Sequence, residues 1–208
     1  MKLLKVLTVL LVVGLFAVGA QADTIPTILP TSSQAYPGYG QGFAIDGSLL
    51  TDFASNSQGT NTHLDFDFGA PVTFTSITYT NRTSSGGANG SQVMGTYDFV
   101  TSFEYIFATD PGFTNVVGTV LGTLALPACA DPSTHLGCTL ADIAQFQLTT
   151  AVSGITAQYV EWQVLTTNGV NPGAAELSFS TTPEPGSLLL FGTGIVGVMG
   201  AIRRKFIA

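Results

Sequence analysis

The sequence predicts an all-β sandwich with a processing segment at each end. In the middle of the chain, short runs of β-branched and aromatic residues alternate with polar residues, as in "VTFTSITYTN" (residues 72–81). Clusters of Gly, Asn, Asp, Ser and Pro separate these runs. Many short strands divided by turn signals are typical of a sandwich or barrel. No stretch between residues 42 and 180 keeps a 3.6-residue period, and "TLADIAQF" allows one short helical turn at most.

The N-terminal segment is predicted to be a secretory signal peptide, residues 1–22. Lys2 and Lys5 precede an apolar run from Val6 to Val18, and Ala20-Gln21-Ala22 supplies a small-residue cleavage site. We expect cleavage after Ala22. An N-terminal membrane anchor is the alternative, although this run is shorter than the ~20 residues of a typical bilayer span.

Three elements follow one another at the C-terminus: a Pro-Glu-Pro triad, an apolar run and a basic cluster (Pro183, Glu184, Pro185; Ser187–Ile202; Arg203, Arg204, Lys205). As a helix the run would measure about 24 Å, which spans a hydrocarbon core of about 30 Å only marginally. Together the elements resemble the PEP-CTERM sorting signal. The resemblance implies a Gram-negative bacterium, transient retention in the inner membrane, processing by an exosortase-type protease, and release to the cell envelope or exopolysaccharide matrix. A permanent single-span anchor is the alternative.

The body of the chain is strongly acidic. Between Asp23 and Pro183, nine Asp and three Glu face one basic residue, Arg82, which gives a formal charge of −11. Nucleic acids and anionic membranes are excluded as partners, because neutralising phosphates requires clustered Lys and Arg. Such a body attracts cations, including calcium.

Cys129 and Cys138 are the two cysteines of the chain. In an oxidising compartment they are expected to form a local disulfide. Two free thiols are the alternative. A metal site is less favoured, because His135 is the only further soft ligand nearby and structural zinc takes four ligands.

Nothing in the sequence indicates an enzyme. His63 and His135 are the only histidines, and neither lies near a recognisable Ser or Cys nucleophile motif. Asp65 and Asp67 share one face of a predicted strand and could form a carboxylate pair, but a solvated strand edge is the simpler interpretation.

Four elements, in order, resemble the discoidin or coagulation factor 5/8 type C family, a group of galactose-binding-like β-sandwiches: Ala44, Asp46, Gly47 and Thr51; Asp67-Phe68-Gly69; Tyr159-Val160; and Ala175-Glu176. The resemblance implies a jelly-roll sandwich over residues 43–180, after an extended lead-in (23–42) and before the sorting tail (181–208). Phe53 replaces the usual Trp, and Gln158 and Glu161 stand where arginines are common, which indicates a variant subfamily.

A calcium site is predicted at the turn "DGSLLT". Calcium takes six to eight hard oxygen ligands. The side chains of Asp46 and Thr51 and the backbone near Ser48 can face one point, and the terminal strand would bring Ala175 and Glu176 beside them. In the related family this site is structural. The alternative is a metal-free turn in which Asp46 caps backbone amides and Glu176 is solvated.

Two functions remain open. In the first, loops at one end of the sandwich bind carbohydrate, with Tyr36, Tyr39, Asn61 and His63 as candidate contacts, because aromatic rings stack on sugars and polar groups orient them. In the second, the protein is a structural or adhesive matrix component without a small ligand. Trp162, the only tryptophan, is predicted to be a core residue.

Overall fold

The computed structural model describes residues 22–23, 25–82, 98–127, 129, 138 and 140–182. Residues 1–21 of the predicted signal peptide and the sorting tail from Pro183 onward lie outside these residues. Asp23–Thr181 forms one compact unit. Within the described part of the chain, no helix is long and apolar enough to cross a membrane.

The described secondary structure consists of strands and short 3-10 helices. In chain order the strands are β1 (Ala22–Asp23), β2 (Thr27–Ile28), β3 (Phe53–Ala54), β4 (His63–Thr80), β5 (Val100–Ala108), β6 (Val116–Thr123), β7 (Gln147–Ala151), β8 (Thr156–Thr167), β9 (Gly173–Ala174) and β10 (Glu176–Thr182). The 3-10 helices are Gln41–Ile45, Gly59–Asn61 and Leu140–Gln145. The last of these is the single helical turn expected from "TLADIAQF".

Strand β4 belongs to both layers of the sandwich. Its first part, His63–Asp67, pairs with β8, and β2 lies on its other side. The register shifts between Asp67 and Val72, and Gly69 supplies a positive φ of 74° in this irregular stretch. The second part of β4 pairs with β7 and β10. One layer is therefore β2-β4-β8-β5-β6 and the other is β1-β10-β4-β7, which confirms the predicted sandwich.

The core between the layers is aromatic. Val160, Trp162 and Val164 alternate inward along β8, and Trp162 is 0% exposed, as predicted. The Trp162 ring stacks on Tyr79 at a centroid distance of 5.3 Å. Removing side chains of this size from water stabilises the fold by about 1.5–3 kcal/mol each, so the aromatic core is a main source of stability.

A second, smaller apolar cluster surrounds the disulfide. Cys129 and Cys138 are bonded, with their Cα atoms 5.0 Å apart, which confirms the predicted bridge. Cys138 is buried with Phe99 and Phe146. The bridge thus links Cys129 covalently to this buried cluster.

Several loops meet at one end of the sandwich, beside the C-terminal end of β4. Its last residue is followed by Asn81, whose amide exchanges hydrogen bonds with the backbone of Val100 (2.8 and 3.1 Å). Val100 is paired with Thr167, so β5 begins where β8 ends. Strand β3 reaches the same place by pairing with β9. We call this region the loop end; its described residues are 35–40, 52–61, 81–82, 98–99 and 168–173.

Candidate functional site

Two tyrosines form an aromatic surface at the loop end. The rings of Tyr36 and Tyr39 lie 6.0 Å apart at an interplanar angle of 59°. Tyr36 is 43% exposed, although apolar groups of this size are usually covered. Its backbone N–H donates to Ala54 O (2.8 Å), and a tight turn through Gly38 (φ 89°) brings Tyr39 back beside it. The structure therefore brings together the two predicted aromatic contacts.

Arg82 lies against this aromatic surface. Its guanidinium carbon is 5.3 Å from the centroid of the Tyr39 ring, a cation–π distance. The arginine side chain is only 10% exposed. Sequence reasoning did not assign Arg82 to the site. Its status as the single basic residue of an acidic body was the signal that could have identified it.

Two carboxylates hold the guanidinium of Arg82 in place. Its Nε donates to Asp52 (2.8 Å), and its Nη1 donates to Asp98 (3.1 Å) and to the backbone oxygen of Asn171 (2.8 Å). Asp52 is buried, with 1% of its side chain exposed. A planar guanidinium that makes several hydrogen bonds has few alternative geometries. Arg82 therefore holds Asp52, Asp98 and Asn171 in fixed positions at the loop end.

Asparagines join the loops of this region to one another. The backbone N–H of Asn171 donates to Asp98 Oδ1 (2.9 Å), and Asn171 Oδ1 accepts from the N–H of Ser57 (2.8 Å). Asn168 Oδ1 accepts from the N–H of Phe99 (2.7 Å). The surface under the tyrosines is thus cross-linked through several chain segments, which favours a preformed site.

Of the other two predicted ligand contacts, Asn61 ends the 3-10 helix Gly59–Asn61 at the loop end, and His63 is the first residue of β4. The two nitrogens of the His63 ring are 3.0 Å from the backbone oxygens of Asn61 and Thr31. Burial alone would lower the pKa of His63, but the two carbonyl acceptors and the charges of Asp65 and Glu161 outweigh it and raise the pKa. His63 therefore links the start of β4 to the lead-in segment through Thr31. Direct contact of Asn61 or His63 with a ligand stays a prediction.

A carboxyl pair lies beside His63, and here the expectation of a solvated strand edge was wrong for Asp65. Asp65 is only 3% exposed, because the segment around Thr31 covers it and the Thr31 hydroxyl donates to its Oδ2. Its register partner across the sheet is Glu161. Burial, together with the charge of Asp65, raises the pKa of Glu161 to about 7. Asp67, in contrast, accepts from Gln158 (3.0 Å).

The predicted calcium-site residues meet in space, although 129 positions separate Gly47 from Glu176. The N–H of Gly47 donates to Glu176 Oε2 (3.0 Å). Asp46 Oδ1 accepts from the N–H of Ser48 (2.9 Å), and its Oδ2 accepts from the Thr51 hydroxyl (2.7 Å). The first turn and the last strand of the domain are therefore adjacent, as the sequence predicted.

The carboxylates of Asp46 and Glu176 act on each other electrostatically, and among the described residues neither forms a salt bridge. Burial raises the pKa of Glu176 to about 7, and the charge of Asp46 adds to this effect, while the N–H of Gly47 opposes it. Ala175, the remaining predicted member, is buried, and its N–H donates to Thr80 O (2.9 Å). An open groove of about 310 Å³ adjoins the two carboxylates.

The oxygens of this turn are of the type that calcium takes. Two carboxylates and the Thr51 hydroxyl surround the turn, and the Ser48 carbonyl lies 3.3 Å from that hydroxyl. Among the described residues, no group of three or more His, Cys, Asp or Glu side chains could hold a metal. A cation here would therefore depend on hydroxyl and carbonyl oxygens as well as on Asp46 and Glu176.

Comparisons with known proteins support the fold and the sorting signal. Residues 29–125 match the F5/8 type C domain and residues 181–205 match the PEP-CTERM protein-sorting motif. No curated protein matches the chain significantly.

Solved structures of similar fold include the CBM32-3 module of a family 31 glycoside hydrolase from Clostridium perfringens. It shows 18% identity and a TM-score of 0.54, and the match covers 78% of this chain and 95% of that one. A fucose binding module from Streptococcus pneumoniae shows 13% identity and a TM-score of 0.53, over 76% of this chain and 94% of that one. At these identities the likeness shows the fold. The chain thus has a β-sandwich fold in which residues 29–125 match the F5/8 type C domain, followed by a C-terminal segment that matches the PEP-CTERM sorting motif.

Proposed function

We propose that this protein is an exported carbohydrate-binding module that holds a glycan at its loop end. The observation that carries the proposal is the pair of tyrosines, exposed Tyr36 and half-buried Tyr39, beside the fixed side chain of Arg82. Aromatic rings stack on the C–H faces of sugars, and a few fixed polar groups provide orientation.

Preorganisation supports a binding role for this surface. The hydrogen bonds that Asp98 and Asn171 make tie separate loops together. A site fixed before binding loses less conformational entropy when the ligand arrives. The solved relatives include a module described as fucose binding, which supports the carbohydrate class without identifying the sugar.

Calcium is proposed as a structural cation, held by Asp46, Thr51 and Glu176 with backbone oxygen near Ser48 and Ala175. The meeting of Gly47 with Glu176 supports this assignment, because it brings the opening turn to the closing strand. Bound calcium would supply the positive charge that these two carboxylates lack. By joining the first and last segments, it would stabilise the folded domain against unfolding.

Delivery to the cell envelope or extracellular matrix is proposed from the C-terminal motif. A PEP-CTERM match over residues 181–205 supports recognition by an exosortase-type membrane protease of a Gram-negative bacterium. The tail would hold the protein in the inner membrane until it is processed. An extracellular polysaccharide is the partner that this location would offer to the loop end.

The test is affinity electrophoresis of the full chain, solubilised in detergent, through gels that contain soluble polysaccharides. Wild type should be retarded by at least one polysaccharide, and Tyr36→Ala should abolish that retardation. Leu121→Ala is the matched control, because Leu121 is also an exposed apolar residue (64%) but lies on β6. Equal retardation of wild type and Tyr36→Ala, or none with any glycan, would instead favour the structural matrix role.

A further inference from the structure

The charge of the loop end determines which glycans it can accept. Arg82 is the only Lys or Arg between residues 23 and 182. The segment from residue 83 to residue 97, which connects Arg82 to Asp98, contains no charged residue in its sequence. Recognition of a carboxylate, sulfate or phosphate group by a basic side chain therefore depends on Arg82 alone at this end.

The positive charge of Arg82 is already neutralised. Asp52 and Asp98 both accept hydrogen bonds from its guanidinium, at 2.8 and 3.1 Å. One positive and two negative charges leave this group with a net charge of −1. An anionic sugar on the tyrosines would face that residual negative charge within a body of formal charge −11.

Reorientation of Arg82 toward an anionic ligand is strongly disfavoured. Turning the guanidinium outward would leave the carboxylate of Asp52, which is 1% exposed, without its cation. Removing the cation from a buried ion pair is costly, because the remaining carboxylate loses its counter-charge while staying out of water. The Tyr39 ring above the guanidinium holds it in the same orientation.

We infer that the loop end binds uncharged glycans and discriminates against polysaccharides that carry uronate or sulfate groups. This inference rests on the proposed function and narrows its substrate class. In this arrangement Arg82 is a positioning residue: it supports Tyr39 and links the loops, and the sugar is bound by the aromatic rings and by neutral polar groups.

The test uses oligosaccharides that differ only in charge. Oligogalacturonides and alginate oligosaccharides are each compared with the same material after its carboxyl groups have been reduced to primary alcohols. The panel also contains neutral oligosaccharides, and binding to the full chain is measured by titration calorimetry. Reduced or neutral ligands should bind at least about tenfold more tightly than uronates. Their affinity should change little between low and high salt.

A variant checks the source of the discrimination. Asp98→Asn removes one of the two acidic partners of Arg82. The ratio of the affinity for uncharged ligands to the affinity for uronates should therefore fall several-fold. The melting temperature of the variant establishes that it is folded. An unchanged preference in this variant would contradict the role of the Arg82 group. Binding of native uronates as tight as that of their reduced forms, and lost in Tyr36→Ala, would overturn the inference while leaving the proposed function intact. Absence of binding to every ligand would overturn the proposed function itself.

Discussion

Replacing Glu161 with Gln should change how the stability of this domain depends on pH. Glu161 is half-buried opposite Asp65, and its pKa is raised from 4.5 to about 7. Between these two pH values the folded state keeps a proton that the unfolded state has lost. The contribution of Glu161 to stability is therefore greatest below pH 4.5 and declines as pH rises toward 7.

The magnitude follows from the size of that pKa change. A rise from 4.5 to about 7 corresponds to an upper bound of roughly 3 kcal/mol of stability lost across the window. Water screens a half-exposed carboxyl, so we expect the measured effect to be roughly 1–2 kcal/mol. Glu161→Gln removes the titrating group. The stability of the variant minus that of wild type should therefore be roughly 1–2 kcal/mol larger at pH 8 than at pH 4.5.

Urea unfolding at several pH values measures this difference, with the fluorescence of Trp162 as the probe, because it is the only tryptophan and is fully buried. Glu104→Gln is a control: it removes an acid on β5 but leaves the Asp65–Glu161 pair, so the decline between pH 4.5 and 7 should persist. A difference between Glu161→Gln and wild type that stays constant from pH 4.5 to 8 would refute the reasoning.

Three further predictions concern the metal turn, the arginine and a close backbone contact. Calcium at about a hundred times its dissociation constant should stabilise wild type by about 2.7 kcal/mol, which is measured as a higher melting temperature. Glu176→Gln should lose most of this gain. An equal increase in melting temperature in both proteins would exclude this site. Arg82→Gln should destabilise the fold by about 3–5 kcal/mol in urea unfolding, because it removes the cation that pairs with the buried carboxylate of Asp52. Adding Asp52→Asn should restore part of that loss, and additive losses would contradict the pairing. Gly173→Ala should lower the free energy of unfolding by about 1–3 kcal/mol or more, because its Cβ would lie 1.9 Å from a backbone oxygen. Gly42→Ala is the control, because a Cβ there meets nothing within 4 Å. Similar melting temperatures for the two variants would argue against the contact.

Features that depend on local pattern were predictable from the sequence. Period-two alternation placed Trp162 in the core, and the oxidising compartment implied by the N-terminal segment favoured the Cys129–Cys138 bridge. The meeting of Asp46 and Glu176 across the chain required more than local pattern, because it followed from the order of motifs shared with a known fold.

Features that depend on which strand covers which residue were not predictable. Asp65 was expected to be solvated because its strand alternates, but the lead-in residue Thr31 folds over it. Arg82 is 30 positions from Asp52 and 16 from Asp98, and no local spacing indicates either ion pair. Both contacts join residues that are distant in sequence, and the alternation along β4 does not indicate which lead-in or loop residues lie against it.

The central claim, that a glycan binds on the tyrosines at the loop end, is tested most directly by chemical-shift mapping. Backbone amide signals of the isotopically labelled full chain in detergent micelles would be followed during titration with a neutral oligosaccharide that calorimetry has identified as a ligand. We predict saturable shifts concentrated at residues 36–39, 81–82 and 168–171. Saturable shifts concentrated instead on the outer sheet face around His63 and Glu161, with the tyrosine turn unchanged, would contradict it.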